Sequence, residues 1–92
     1  MLLLSREPGQ SLIIEDVRLT VIRATSDDVE LSLRKIIGGT PSLVTLQRGT
    51  PVDACYDVKI TYVTLSDNRV RIGIDAPREL SIAREEAPPR DQ

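Results

Sequence analysis

The chain has 92 residues, of which 40% are apolar, and it contains no Phe, Trp or His. A chain of this length buries a modest fraction of its surface, so we expect either oligomerisation or an internal pseudo-dimer. The net charge of −2 argues against indiscriminate binding to nucleic acid, which needs a broad basic face, but it is compatible with a small local basic site.

The remaining composition argues against an enzyme and against export. Without histidine there is no Ser–His pair, Cys–His pair or His-based metal site, so we predict no catalytic activity, no cofactor and no metal. The single cysteine, Cys55, excludes an intrachain disulfide and favours a reduced, cytoplasmic setting. The apolar run 2–4 is too short for a signal sequence or a membrane span, which predicts no membrane association.

Apolar and polar residues alternate with period two almost throughout, which predicts an all-β fold. Turns rich in Gly, Pro, Asp and Ser separate the predicted strands, which in chain order are 2–5, 11–14, 18–23, 29–34, 43–46, 59–65, 70–75 and 80–83. Residues 26–39 also fit a short helix, capped by Ser26 or Asp27 and ended by Gly38. Strand and helix both stay open for this segment. Residues 88–92 are predicted to be a disordered tail.

The sequence contains an internal repeat. Residues 17–33, "VRLTVIRATSDDVELSL", match residues 58–74, "VKITYVTLSDNRVRIGI", without a gap. Upstream the match weakens, and residues 4–6 ("LSR") echo residues 46–48 ("LQR"). The repeat favours a hairpin over a helix for the ambiguous segment, because residues 29–33 would then be a second strand.

The two ends of the chain resemble one family. The N-terminal "LLLSREPGQSLII" and the C-terminal "VRIGIDAPRELSIAREE" are similar to the carbon storage regulator family (CsrA/RsmA) of bacterial RNA-binding proteins. We predict a single CsrA-like domain over 1–92, in which 1–16 and 57–87 form the family core. Residues 17–56 are then an insertion that resembles a repeated hairpin.

The resemblance implies a fold of interlaced antiparallel strands, in which the first strand of one protomer lies beside the fifth of the other and these edges bind RNA. It implies an RNA-binding site with Arg84 as the main cation and Arg6 as an assisting contact to phosphate. The full set of site residues expected from the family motifs is Leu4, Arg6, Leu80, Ile82, Arg84, Glu85 and Ala87. Main-chain groups of a strand edge can read a splayed-out loop base, so no aromatic platform is needed.

The chain departs from the family pattern beside the expected site. Glu7 stands where the family usually has a second arginine, and a carboxylate near phosphate lowers affinity.

The insertion leaves two architectures open. It either decorates an ordinary homodimer, or residues 1–41 and 42–92 form a single-chain pseudo-dimer. In the pseudo-dimer, Arg6 and Arg84 would form one intact site, and the second, built from "LVTLQR", would be degenerate.

Two functions are compatible with these observations. The first is post-transcriptional regulation, in which the protein binds GGA-containing hairpin loops in mRNA leaders and small regulatory RNAs. The second is a protein-interaction module, a divergent paralogue that modulates other family members or a protein antagonist with weak or no RNA binding. Intact Arg6, Arg84 and Glu85 favour the first, whereas Glu7 and the acidic composition favour the second.

Overall fold

The computed structural model describes residues 1–85, which form nine β-strands and no helix. The strands are β1 (Leu2–Arg6), β2 (Ser11–Ile14), β3 (Val17–Ala24), β4 (Asp28–Lys35), β5 (Ser42–Gln47), β6 (Val52–Asp53), β7 (Lys59–Ser66), β8 (Arg69–Asp75) and β9 (Ile82–Glu85). The all-β prediction is therefore confirmed. Within the described part of the chain, no helix is present that could cross a membrane.

The strands form two antiparallel sheets, and sequence neighbours do not always stay together. The four-stranded sheet has the order β1-β8-β7-β6, and the five-stranded sheet has the order β5-β4-β3-β2-β9. Two edge strands are thus far in sequence from their partners: β1 pairs with β8, and β9 pairs with β2. The chain is interlaced with itself.

The core forms because the alternating apolar residues of both sheets turn inward. In β3, Val17, Leu19 and Val21 are buried. In β8, Val70 and Ile72 are buried and alternate with exposed residues. With no Phe or Trp in the chain, branched aliphatic side chains provide most of this core, which suits a pleated surface. The one buried ring, Tyr62, donates its hydroxyl to the Thr25 carbonyl at 2.6 Å, which satisfies its polar end.

The helix considered for residues 26–39 is wrong. Residues 28–35 form β4, which is hydrogen-bonded on both sides, to β3 and to β5. The predicted caps, Ser26 and Asp27, lie in the hairpin turn, where the backbone N–H groups of Asp27 and Asp28 donate to the Thr25 hydroxyl. Such a Thr-stabilised turn satisfies the same donors that a helix N-cap would satisfy.

The sequence repeat corresponds to repeated geometry. The Gly9 N–H donates to the Val21 carbonyl at 2.7 Å, and the Gly49 N–H donates to the Tyr62 carbonyl at 2.9 Å. Both glycines have positive φ, +93° and +83°, which a residue with a side chain rarely adopts. The strand register also shifts at equivalent places, in β3 after Val21 and in β7 after Tyr62.

This register changes one alignment made from sequence. Leu4 lies opposite Ile72, and Val44 lies opposite Leu31, the residue that matches Ile72 in the repeat. Residues 4–6 therefore correspond in the structure to residues 44–46, not to residues 46–48. Under this correspondence the counterpart of Arg6 is Leu46.

Candidate nucleic-acid interface

The ends of β1 and β9 meet at one cavity of about 400 Å³. Its lining residues are Ser5, Arg6, Glu7, Gln10, Arg69 and Arg84. The two strands are not hydrogen-bonded to each other, since β1 is the edge of one sheet and β9 the edge of the other. Because each is an edge strand, one side of its backbone is not used by the sheet, which leaves main-chain donors and acceptors for a ligand.

Arg84 is an exposed cation of this cavity. It lies on β9 opposite Leu12, and it has no ion-pair partner among residues 1–85. An unpaired guanidinium offers up to five donors in a planar fork, which matches the oxygens of a phosphate or the edge of a guanine.

Arg6 lines the same cavity but is buried, with only 5% of its surface exposed. Its Nε donates to the Ser5 carbonyl at 2.8 Å, and its Nη1 donates to the Ser11 carbonyl at 3.0 Å. Ser5 belongs to β1 and Ser11 to β2, so this side chain ties the edge of one sheet to the other sheet. A buried charge needs such partners, because an unsatisfied one would be very costly.

The predicted apolar site residues are placed in different surroundings. Leu4 is buried in the core opposite Ile72. Ile82 begins β9 opposite Ile14 and is half-buried against the core. Leu80 precedes β9 and lines a separate cavity with Asp16 and Tyr56, so the structure does not bring it to the cavity of Arg84.

Two further predicted residues are described only in part or not at all. The backbone of Glu85 pairs with Ser11 at the end of β9. Ala87 lies outside the described residues, as does the predicted tail at 88–92.

Glu7 is paired, which the sequence did not indicate. Its carboxylate lies 3.6 Å from the Arg69 guanidinium, and its backbone N–H donates to Gln10 Oε1 at 2.9 Å. Both charged side chains are largely exposed, so the pair contributes little to stability. It does reduce the repulsion that Glu7 alone would exert on a bound phosphate.

Arg69 and Arg71 are functional candidates that the sequence interpretation missed. Both are exposed residues of β8, and both line a second cavity of about 630 Å³ together with Ser5, Glu7, Thr64, Ser66 and Asp67. The two cavities share three lining residues, so they form one continuous groove. The available signal was the alternation in "RVRIGI", where two arginines occupy the outward-facing positions.

The groups whose pKa is shifted lie away from this groove. Tyr56 donates its hydroxyl to the Asp16 carboxylate, which lowers the pKa of Asp16 and raises the pKa of Tyr56. Burial raises the pKa of the Cys55 thiol, which makes it a poor nucleophile. Among residues 1–85, no group of three or more His, Cys, Asp or Glu side chains could hold a metal ion.

One known protein family matches part of the chain. The model of the CsrA global regulator protein family matches residues 53–91, and this match supports membership of the chain in the carbon storage regulator family. Proteins of this family are non-enzymatic regulators that generally bind RNA. No solved structure matches the chain significantly.

The different surroundings of the two arginines lead to a stability prediction. Arg6→Ala should lower the free energy of unfolding by about 3 kcal/mol, because it removes a charged donor and leaves two main-chain carbonyls without their partner. Arg84→Ala should change it by less than about 0.5 kcal/mol, since that side chain is exposed. Urea denaturation of both variants measures the difference, and equal effects would contradict the structural role of Arg6.

Proposed function

We propose that the protein is a post-transcriptional regulator that binds GGA-containing hairpin loops in mRNA leaders and small regulatory RNAs. The observation that carries the proposal is the exposed Arg84, which has no ion-pair partner among residues 1–85 and lies at the junction of two edge strands, in a chain whose C-terminal part matches a family of RNA-binding regulators. Bound at a leader, it would block ribosome access or alter decay in the cytoplasm. Small RNAs with several GGA loops would compete for it.

The chemistry of the surface supports this ligand. A hairpin loop presents unstacked bases whose edges can bond to the backbone of an edge strand, while a guanidinium holds a phosphate or a guanine edge. In this proposal Arg84 and the main chain of β1 and β9 contact the RNA. Leu4 and Ile82 hold these strands against the core, and Arg6 fixes β1 in place and supports the site from beneath. Glu85 and Ala87 remain proposed contacts.

Arg84→Ala should weaken binding to a GGA hairpin by about tenfold or more, since a charged hydrogen bond contributes about 1.5–3 kcal/mol. A gel-shift titration at low salt measures this, with a CCA hairpin as the sequence control. Equal binding by wild type and Arg84→Ala would contradict the assignment of the site. Equal binding to GGA and CCA would contradict the proposed specificity.

Glu7→Arg should tighten binding to the same hairpin. The substitution removes a negative charge from the groove, adds a positive one and releases Arg69 from its ion pair. The effect should be largest at low ionic strength, because the added contact is electrostatic. Weaker binding by this variant would contradict the placement of β1 along the RNA.

The second candidate function, a protein-interaction module, is favoured by the net charge of −2 and by strongly exposed apolar residues such as Ile37, which is 92% exposed. The same gel-shift separates the two functions. Absence of GGA binding at low salt would reject RNA regulation and favour this candidate.

A further inference from the structure

The topology divides the described chain into two interlaced halves. β1 comes from the first half and pairs with β8 of the second, while β5 comes from the second half and pairs with β4 of the first. The hairpin β3–β4 of the first half repeats as β7–β8 in the second, with the register shift at the same place. Also, β2 pairs with β3 and not with β7, as expected if residues 1–41 and 42–92 stand for two protomers.

This correspondence lets the groove be compared with its counterpart on the other sheet, position by position. Arg69 corresponds to Asp28 and Arg71 to Glu30, since each pair occupies the same place in the repeated hairpin. Thr64 corresponds to Arg23, whose guanidinium lies 3.5 Å from the Glu30 carboxylate. At these positions the outward face of β8 carries two arginines, whereas the outward face of β4 carries two carboxylates, one of them paired with Arg23, and its arginine, Arg34, lies further along the strand.

The counterpart of the cavity at β1 and β9 is incomplete. Leu46, which is fully buried, occupies the place of Arg6, so the hydrogen bonds of the Arg6 guanidinium have no counterpart there. The four-stranded sheet ends at the two-residue strand β6, whose counterpart β2 is covered by β9. Within residues 1–85, no strand occupies the equivalent place beside β6, so Arg84 has no counterpart there.

We propose that the chain is a single-chain pseudo-dimer with one RNA site, and that Arg71, with Arg69, extends this site across the outer face of β8. The inference rests on the proposed RNA-binding function. It specifies how many RNA molecules one chain binds and the path of the RNA across the protein surface. The loop of the hairpin lies at the end of β1 and β9, and phosphates of the adjoining stem lie over the groove. The carboxylates of Asp28 and Glu30 stand at the corresponding positions of β4, where they would repel phosphate.

The groove has the features that this path needs. Arg71 lies between Ser5 of β1 and Thr64 of β7, so two uncharged side chains flank the cation. Arg71 is exposed and has no ion-pair partner among the described residues, whereas Arg69 shares its charge with Glu7. Arg71 should therefore provide the stronger phosphate contact of the two.

The path is tested by Arg71→Gln, with Arg23→Gln as the matched control on the opposite face. Both variants remove one exposed arginine charge, so an effect of net charge alone would be equal in the two. Fluorescence anisotropy with a GGA hairpin across a salt series should show a three- to tenfold loss for Arg71→Gln only. The slope of log K against log salt should become shallower by about 0.7–0.9, the value for one lost phosphate contact. Equal losses in both variants, or none in Arg71→Gln, would overturn the path.

The stoichiometry is tested by native mass spectrometry of the wild type with excess GGA hairpin. One chain carrying one RNA is the expected complex. A single chain carrying two RNAs, or two chains carrying two RNAs, would overturn the single-site pseudo-dimer while leaving RNA binding intact. Absence of any complex, together with no anisotropy change at low salt, would reject the proposed function itself.

Discussion

The exchange of edge strands between the two halves is the constraint on which the rest of the structure depends. β1 completes the sheet of the second half, and β9 completes the sheet of the first. Neither half has a closed core without the strand that the other supplies, which suits a chain too short to stabilise two separate domains. The same exchange brings the outer edges of β1 and β9 together, so the interface that stabilises the fold also creates the candidate site.

Arg6 belongs both to the contact between the exchanged strands and to the candidate site. Its guanidinium lies where the two sheets meet and donates to main-chain carbonyls on both of them. The corresponding position in the other half is Leu46, which is also buried and whose side chain needs no hydrogen-bond partner. A leucine packs that position, whereas the arginine also joins β1 to β2 through a hydrogen bond beside Arg84. Packing alone therefore does not explain the choice of arginine.

Much of the fold could be predicted from local pattern, but the site could be predicted only in part. The alternation in β3 and β8 identifies half-buried strands directly, because period two is a local property. The partners of β1 and β9 depend on contacts across the whole chain, which no local pattern encodes. Burial of Arg6 could not be foreseen, since one of its acceptors, the Ser11 carbonyl, belongs to the other sheet. Arg71 was not among the predicted site residues, because its neighbours Ser5 and Thr64 come from two other strands and are known only from the register.

We infer that one chain contains both halves of the interlaced body. Sedimentation equilibrium of the RNA-free protein over a range of concentrations tests it most directly. We expect a single species of 10.2 kDa, the mass of one chain. A stable species of twice that mass at all concentrations would contradict it, because the exchanged strands would then come from two chains.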